Sequence, residues 1–214
     1  FFAFGDVDND GDQDLFAGLD IGWFDEFHSG IYLNDGSGTF TELLEDGFQE
    51  VRGVAATAVF ADFDGDAVLD LFVGNGGTTV DQMDTLYRGL GDGSFEDISV
   101  NLAEPRPEQR TAGSVACDVD DDGDLDILVS TYGTSTLLGH NHLWINDGQG
   151  GFVNRAQEWG FHAQATGNYW LPSTGHGTEE EDAPIDQIVG STGFGIDCAD
   201  VNNDGILDAA AANI

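Results

Sequence analysis

The sequence predicts an all-β protein made of propeller blades, each a sheet of four antiparallel strands, and three observations predict it. An acidic nine-residue motif recurs four times along the 214 residues. A second motif, glycine-rich and closing on an aromatic residue, recurs three times in step with the first. Between them, apolar residues alternate or run in short blocks bounded by Gly, Asp and Asn, and no helical period is sustained.

The acidic motif reads DVDNDGDQD at 6–14, DFDGDAVLD at 62–70, DVDDDGDLD at 118–126 and DVNNDGILD at 200–208. The interval is 56 residues from Asp6 to Asp62 and from Asp62 to Asp118, then 82 from Asp118 to Asp200. The second motif reads IYLNDGSGTF at 31–40, LYRGLGDGSF at 86–95 and LWINDGQGGF at 143–152. In the second unit the four strands are the stretch VAATAVFAD leading into Asp62, LDLFVGN from Leu69, DTLYRGL from Asp84 and SFEDISV from Ser94. A four-stranded unit of this length cannot bury both faces alone and stacks on its neighbours, which is the logic of a propeller. The blade units fall at about 1–50, 51–106, 107–161 and 191–214, with an insertion at 162–190. Three whole blades and half a fourth leave sheet edges and faces uncovered. The expectation is therefore a longer propeller, or one completed by another chain.

Composition narrows the function. Forty-one acidic residues stand against five basic ones, all arginine, for a formal net charge of −36. Such a surface repels phosphate backbones and anionic membrane, so cations are the natural partner and nucleic acid is not expected. No stretch approaches the roughly 18 consecutive apolar residues of a membrane helix, so direct membrane insertion is not expected either. The opening FFAFGD reads as the inside of a strand, so any targeting segment is expected to lie outside this sequence. Cys117 stands one residue before its aspartate and Cys198 two before. Strand alternation then points them to opposite faces, and buried free thiols are the expected state.

Numbered from its first aspartate, each loop carries an oxygen donor at positions 1, 3, 5 and 9. These are Asp6, Asp8, Asp10 and Asp14; Asp62, Asp64, Asp66 and Asp70; Asp118, Asp120, Asp122 and Asp126; and Asp200, Asn202, Asp204 and Asp208. Carboxylates at this spacing repel unless they converge on a hard cation, and Ca²⁺ fits best because it accepts many oxygens in flexible geometry. Up to four Ca²⁺ ions are expected. Position 7 donates a backbone carbonyl, so its side chain is free to vary as Asp12, Val68, Asp124 and Ile206. Position 6 is Gly11, Gly123 and Gly205 where the chain turns with φ > 0, but Ala67 in the second loop. If Ala67 takes that conformation, the second site is the weakest or most distorted, unless Gly65 shifts the strain. Asn202 makes the fourth site less anionic. Polar turns favour Asp, Asn and Gly without any metal, but four copies in register argue for ligation. EF-hands are excluded, because no Glu stands at position 12 and the flanks are strands.

With FGDVDNDGDQDLFAG, CDVDDDGDLDILVST and ADVNNDGILDAAAAN beside IYLNDGSGTFTE and LWINDGQGGFVNRAQEWGF, the chain resembles the FG-GAP (VCBS-type) repeats of integrin-α-like seven-bladed β-propellers. It is closest to the bacterial and cartilage-acidic-protein-like branch. The resemblance implies Ca²⁺ at the matched loop positions, an extracellular, cell-surface or periplasmic location, and adhesion or ligand binding. A minority of such propellers are joined to enzymes or act on glycans or phospholipids.

Other candidates are weaker. His140 and His142 alternate on one strand face and could take a transition metal, but no third ligand is in view. His162, His176 and the run TEEED at 178–182 could form a second cation site or an acid/base pair, though a charge run is usually a solvated loop. Tyr169 and Trp170 could stack on a sugar or pack against the propeller. No nucleophile elbow or phosphate loop is present. The expectation is a non-enzymatic, calcium-binding propeller module that binds a protein or glycan. The alternatives are a carbohydrate- or lipid-active enzyme using Glu179, Glu180 or Glu181, and a lectin-like module without turnover.

Overall fold

The computed structural model of the chain describes residues 1–18, 29–43, 55–76, 83–103, 110–132, 140–162, 170–171, 176–177 and 193–213. Among them every regular element is a strand except one 3₁₀ turn, Ser99–Asn101.

Each acidic motif sits on the tip of a hairpin. The first sheet is β1 (Phe2–Gly5), β2 (Asp14–Ala17), β3 (Gly30–Asn34) and β4 (Phe40–Glu42), antiparallel and in chain order. The second is β5 (Ala55–Ala61), β6 (Asp70–Asn75), β7 (Thr85–Gly89) and β8 (Phe95–Asp97), and the third is β9 (Thr111–Cys117), β10 (Asp126–Thr131), β11 (His142–Asn146) and β12 (Phe152–Asn154). A short pair, β13 (Trp170–Leu171) and β14 (His176–Gly177), lies within the expected insertion, and β15 (Gly193–Ala199) pairs with β16 (Asp208–Asn213). Register places the loops identically: Gly5 faces Asp14, Ala61 faces Asp70, Cys117 faces Asp126 and Ala199 faces Asp208. These are the four-stranded blades of a β-propeller.

Strand alternation gives each sheet two apolar faces, and neighbouring blades bury them front to back. Phe16 and Ile31 of the first blade meet Leu71, Val73 and Tyr87 of the second. The other face of the second, with Phe72 and Leu86, meets Ile127, Val129 and Trp144 of the third. Leu128 and Leu143 on the reverse of the third pack against Ile196 and Cys198. After the 3₁₀ turn, Leu102 makes a parallel bridge to Phe152, so the tail of the second blade extends the outer edge of the third. On the first blade the face turned away from the second carries Phe2 and Phe4, 69% and 59% exposed.

Front-to-back stacking also overturns the free-thiol expectation. Cys117 and Cys198 form a disulfide, with Cα atoms 6.7 Å apart. The alternation argument holds, since the two side chains do leave opposite faces of equivalent strands. In a stack, however, the front of one sheet meets the back of the next, so opposite faces are the ones that touch.

Candidate metal centres

The acidic loops are held in shape by their own carboxylates. At position 1, one oxygen accepts the N–H of position 5 and the other that of position 6. For Asp6 the donors are Asp10 and Gly11, both at 3.0 Å, and for Asp62 they are Asp66 at 3.1 Å and Ala67 at 3.0 Å. Asp118 and Asp200 repeat the pattern with Asp122 and Gly123, and with Asp204 and Gly205. The carboxylate at position 5 accepts the N–H of position 7 in all four loops.

Winding the backbone this tightly requires two residues of positive φ per loop, at positions 4 and 6. They are Asn9 (59°) and Gly11 (95°), Asp121 (60°) and Gly123 (96°), and Asn203 (60°) and Gly205 (92°). Asn and Asp tolerate this region and Gly is free in it. In the second loop the order is reversed: Gly65 (76°) takes position 4 and Ala67 (68°) position 6. Ala67 thus adopts the left-handed conformation that the sequence expectation made conditional, and Gly65 does not relieve it, because both positions must be left-handed.

Positions 1, 3 and 5 converge. Asp6, Asp8 and Asp10 each offer an oxygen within 4.8 Å of the others, as do Asp62, Asp64 and Asp66, and Asp118, Asp120 and Asp122. The fourth loop shares the same hydrogen-bond frame, with the Asn202 side-chain oxygen accepting the Asp204 N–H at 2.8 Å. The position 3 carboxylate carries the electrostatic load. Burial, followed by the charges of its loop neighbours, raises the pKa of Asp8, Asp64 and Asp120 above the ordinary aspartate value. A donor set of three hard oxygens at the tip of a tight turn, with one of them reluctant to stay charged, suits a hard divalent cation.

Position 9 stands deeper. Asp14, Asp70 and Asp126 are 0%, 1% and 1% exposed. One oxygen of each accepts the N–H of position 2, from Val7 at 2.9 Å, Phe63 at 2.9 Å and Val119 at 3.0 Å. The other accepts an N–H from the third strand, from Asn34 at 2.8 Å, Gly89 at 2.9 Å and Asn146 at 2.9 Å. Burial pushes Asp70 and Asp126 up to about 6, against the lowering effect of these hydrogen bonds. Asp208 makes the equivalent bond to Val201 at 3.1 Å. The residue at position 9 is therefore a tie between loop and blade, whatever else its remaining lone pairs do.

Two further features were not anticipated from the sequence. Asn34 and Asn146, the Asn of the NDG turns, donate from Nδ2 to the carbonyls of Gln13 and Leu125, and Asn146 also donates to Phe63 of the preceding blade at 2.7 Å. Recurrence of Asn before DG in the first and third units was the available signal. Position 7 is also less free than expected: a side chain at Gly36 would strike the Asp12 carboxylate, and one at Gly148 that of Asp124.

His140 and His142 do not join a three-ligand set, since the groups of three found among the described residues are the acidic ones. The side chains of Tyr169, Trp170, His176 and residues 178–182, with Glu179, Glu180 and Glu181, lie outside the described residues.

Fold and loops together define a class, the β-propeller whose blades each open on an acid-rich hairpin. A family model for the FG-GAP-like repeat matches residues 6–73 and again 69–129, more than half of the chain, and the chain belongs to that family. No curated protein sequence matches it. FG-GAP repeats are typically non-enzymatic binding modules, found in extracellular or cell-surface proteins. No helix among the described residues is long and apolar enough to cross a membrane.

Proposed function

We propose that the chain is a non-enzymatic, calcium-loaded propeller module of a secreted or surface protein, used for adhesion or for binding a protein or glycan. The observation that carries this reading is the convergence of three carboxylates at the tip of the first hairpin of each of three consecutive blades. Positions 1, 3 and 5 would hold the ion, joined by the position 7 carbonyl and the position 9 aspartate. The bound ion would neutralise the crowded charge and make each hairpin rigid. Extracellular Ca²⁺ modules work at affinities of roughly 10⁻⁴–10⁻³ M, which matches the free calcium outside cells. The Cys117–Cys198 disulfide supports an oxidising compartment. The exposed apolar face bearing Phe2 and Phe4 would be covered by a further blade or a partner chain.

Calorimetric titration of metal-stripped protein with Ca²⁺ tests the reading. The expected result is up to four sites, with Mg²⁺ a poor competitor. Absence of heat and an unchanged melt at millimolar Ca²⁺ would refute it.

A further inference from the structure

We propose that the stacked imidazoles of His140 and His162 form a proton-operated latch that fastens the turn leaving the third blade to the start of β11 at neutral pH and lets go in acid. The two rings lie nearly parallel, 14° apart with centroids at 3.8 Å, although 22 residues separate them in the chain. His162 ends a compact turn in which Trp159 donates to the Arg155 carbonyl, and Phe161 and His162 both donate to that of Ala156. Ala156 is buried and Phe161 packs beside it against the third blade. Among the described residues, the His140 contact is the last one this docked segment makes. His140 Nδ1 is buried and has no hydrogen-bond partner among the described residues. A proton added there would find no acceptor, and two imidazolium rings at this distance would repel.

His142 is buried behind the two rings, its Nδ1 3.1 Å from Asn154 Nδ2 and its ring beside Trp144. Burial, then His162 and His140, push its pKa down to about 4, and burial followed by His140 lowers that of His162. Within the turn Arg155 pairs with Glu158. On the second blade, Asp84 accepts from Thr111 Oγ1 and from the Asn75 N–H. β10 presents Val129 and Thr131, which do not titrate. Arg110 and Tyr132, hydrogen-bonded to each other through the backbone at the ends of β9 and β10, also stand at that end of the sheet. Asp197 alternates away from the third blade, because Ile196 and Cys198 face it. Among the described residues no third donor converges with the pair.

Amide hydrogen exchange of residues 155–162, corrected for intrinsic rates and read in saturating Ca²⁺, tests the latch. In the wild type, opening should rise about tenfold per pH unit below the ordinary imidazole value of 6.5, while amides of β6 and β7 stay level. The double variant His140→Phe/His162→Phe keeps two flat rings without protons and should lose this slope, staying closed down to about pH 5. An unchanged acid slope in that variant, or no slope in the wild type, overturns the proposal. Imidazole titration by NMR in the unmodified protein gives a second reading: a His162 that titrates at its ordinary value also overturns it.

Discussion

At the scale of single residues, Ala67 is the one non-glycine among the four position 6 residues, and its left-handed φ of 68° has a measurable cost. An L-residue there loses about 1–2 kcal/mol, part of which is returned through a less flexible unfolded chain. Ala67→Gly should therefore stabilise the protein by about 0.5–1 kcal/mol in denaturant unfolding, and Gly65→Ala should destabilise it by a similar amount. His142 acts at the same scale through pH. Its folded pKa of about 4 lies below the ordinary 6.5, so the unfolded chain binds the extra proton between these values. Stability then falls as pH drops through that window and is fully present above it, with the single group contributing on the order of 3 kcal/mol. His142→Gln should flatten this part of the acid limb in urea titrations from neutral to about pH 4.5. The sequence exposed the alternating donors and the odd Ala67, but not the pairing of left-handed positions 4 and 6. That pairing arises from the loop closing on its first carboxylate, and such closure is a matter of three-dimensional geometry.

At the scale of the element, the blade hairpin is held by its position 9 aspartate. Asp70→Ala would strand the N–H groups of Phe63 and Gly89 in the interior. Each buried donor left unsatisfied costs about 1–3 kcal/mol, so a loss of roughly 2–5 kcal/mol in chemical unfolding is expected. Asp70→Asn, which keeps one good acceptor, should lose less. Strand positions were legible because the period of two and the Gly/Asp turns act locally. The double role of position 9 was not, because its second partner, Gly89, comes from the third strand 19 residues away. The NDG asparagines were missed for a related reason: the bond from Asn146 to Phe63 crosses a blade boundary and spans 83 residues. The insertion was visible as a break in phase, but no periodicity in it announced β13 and β14.

At the scale of the whole molecule, one covalent cross-link acts on the stack. The Cys117–Cys198 bridge closes a loop across 81 residues between the third and fourth sheets. Loop-closure entropy puts its contribution at about 4.5 kcal/mol, so reduction, or Cys117→Ser with Cys198→Ser, should lower the melting temperature markedly. Loss of protection should concentrate in β15 and β16. Strand alternation alone does not reveal the bridge, because opposite faces of equivalent strands meet only when the sheets lie in file. The proposed calcium would act through linkage: an ion bound only by the folded state raises stability with the logarithm of its concentration, so a chelator should lower the melting temperature and added Ca²⁺ should restore it.

The front-to-back packing of these sheets has one more consequence. A part whose back fits the front of its own replica is a tile, and a row of tiles grows by copying alone. Tandem duplication of a 56-residue stretch would lengthen the array without inventing a single new contact surface. Selection would then be free to diversify the rims while the joints stay as they are.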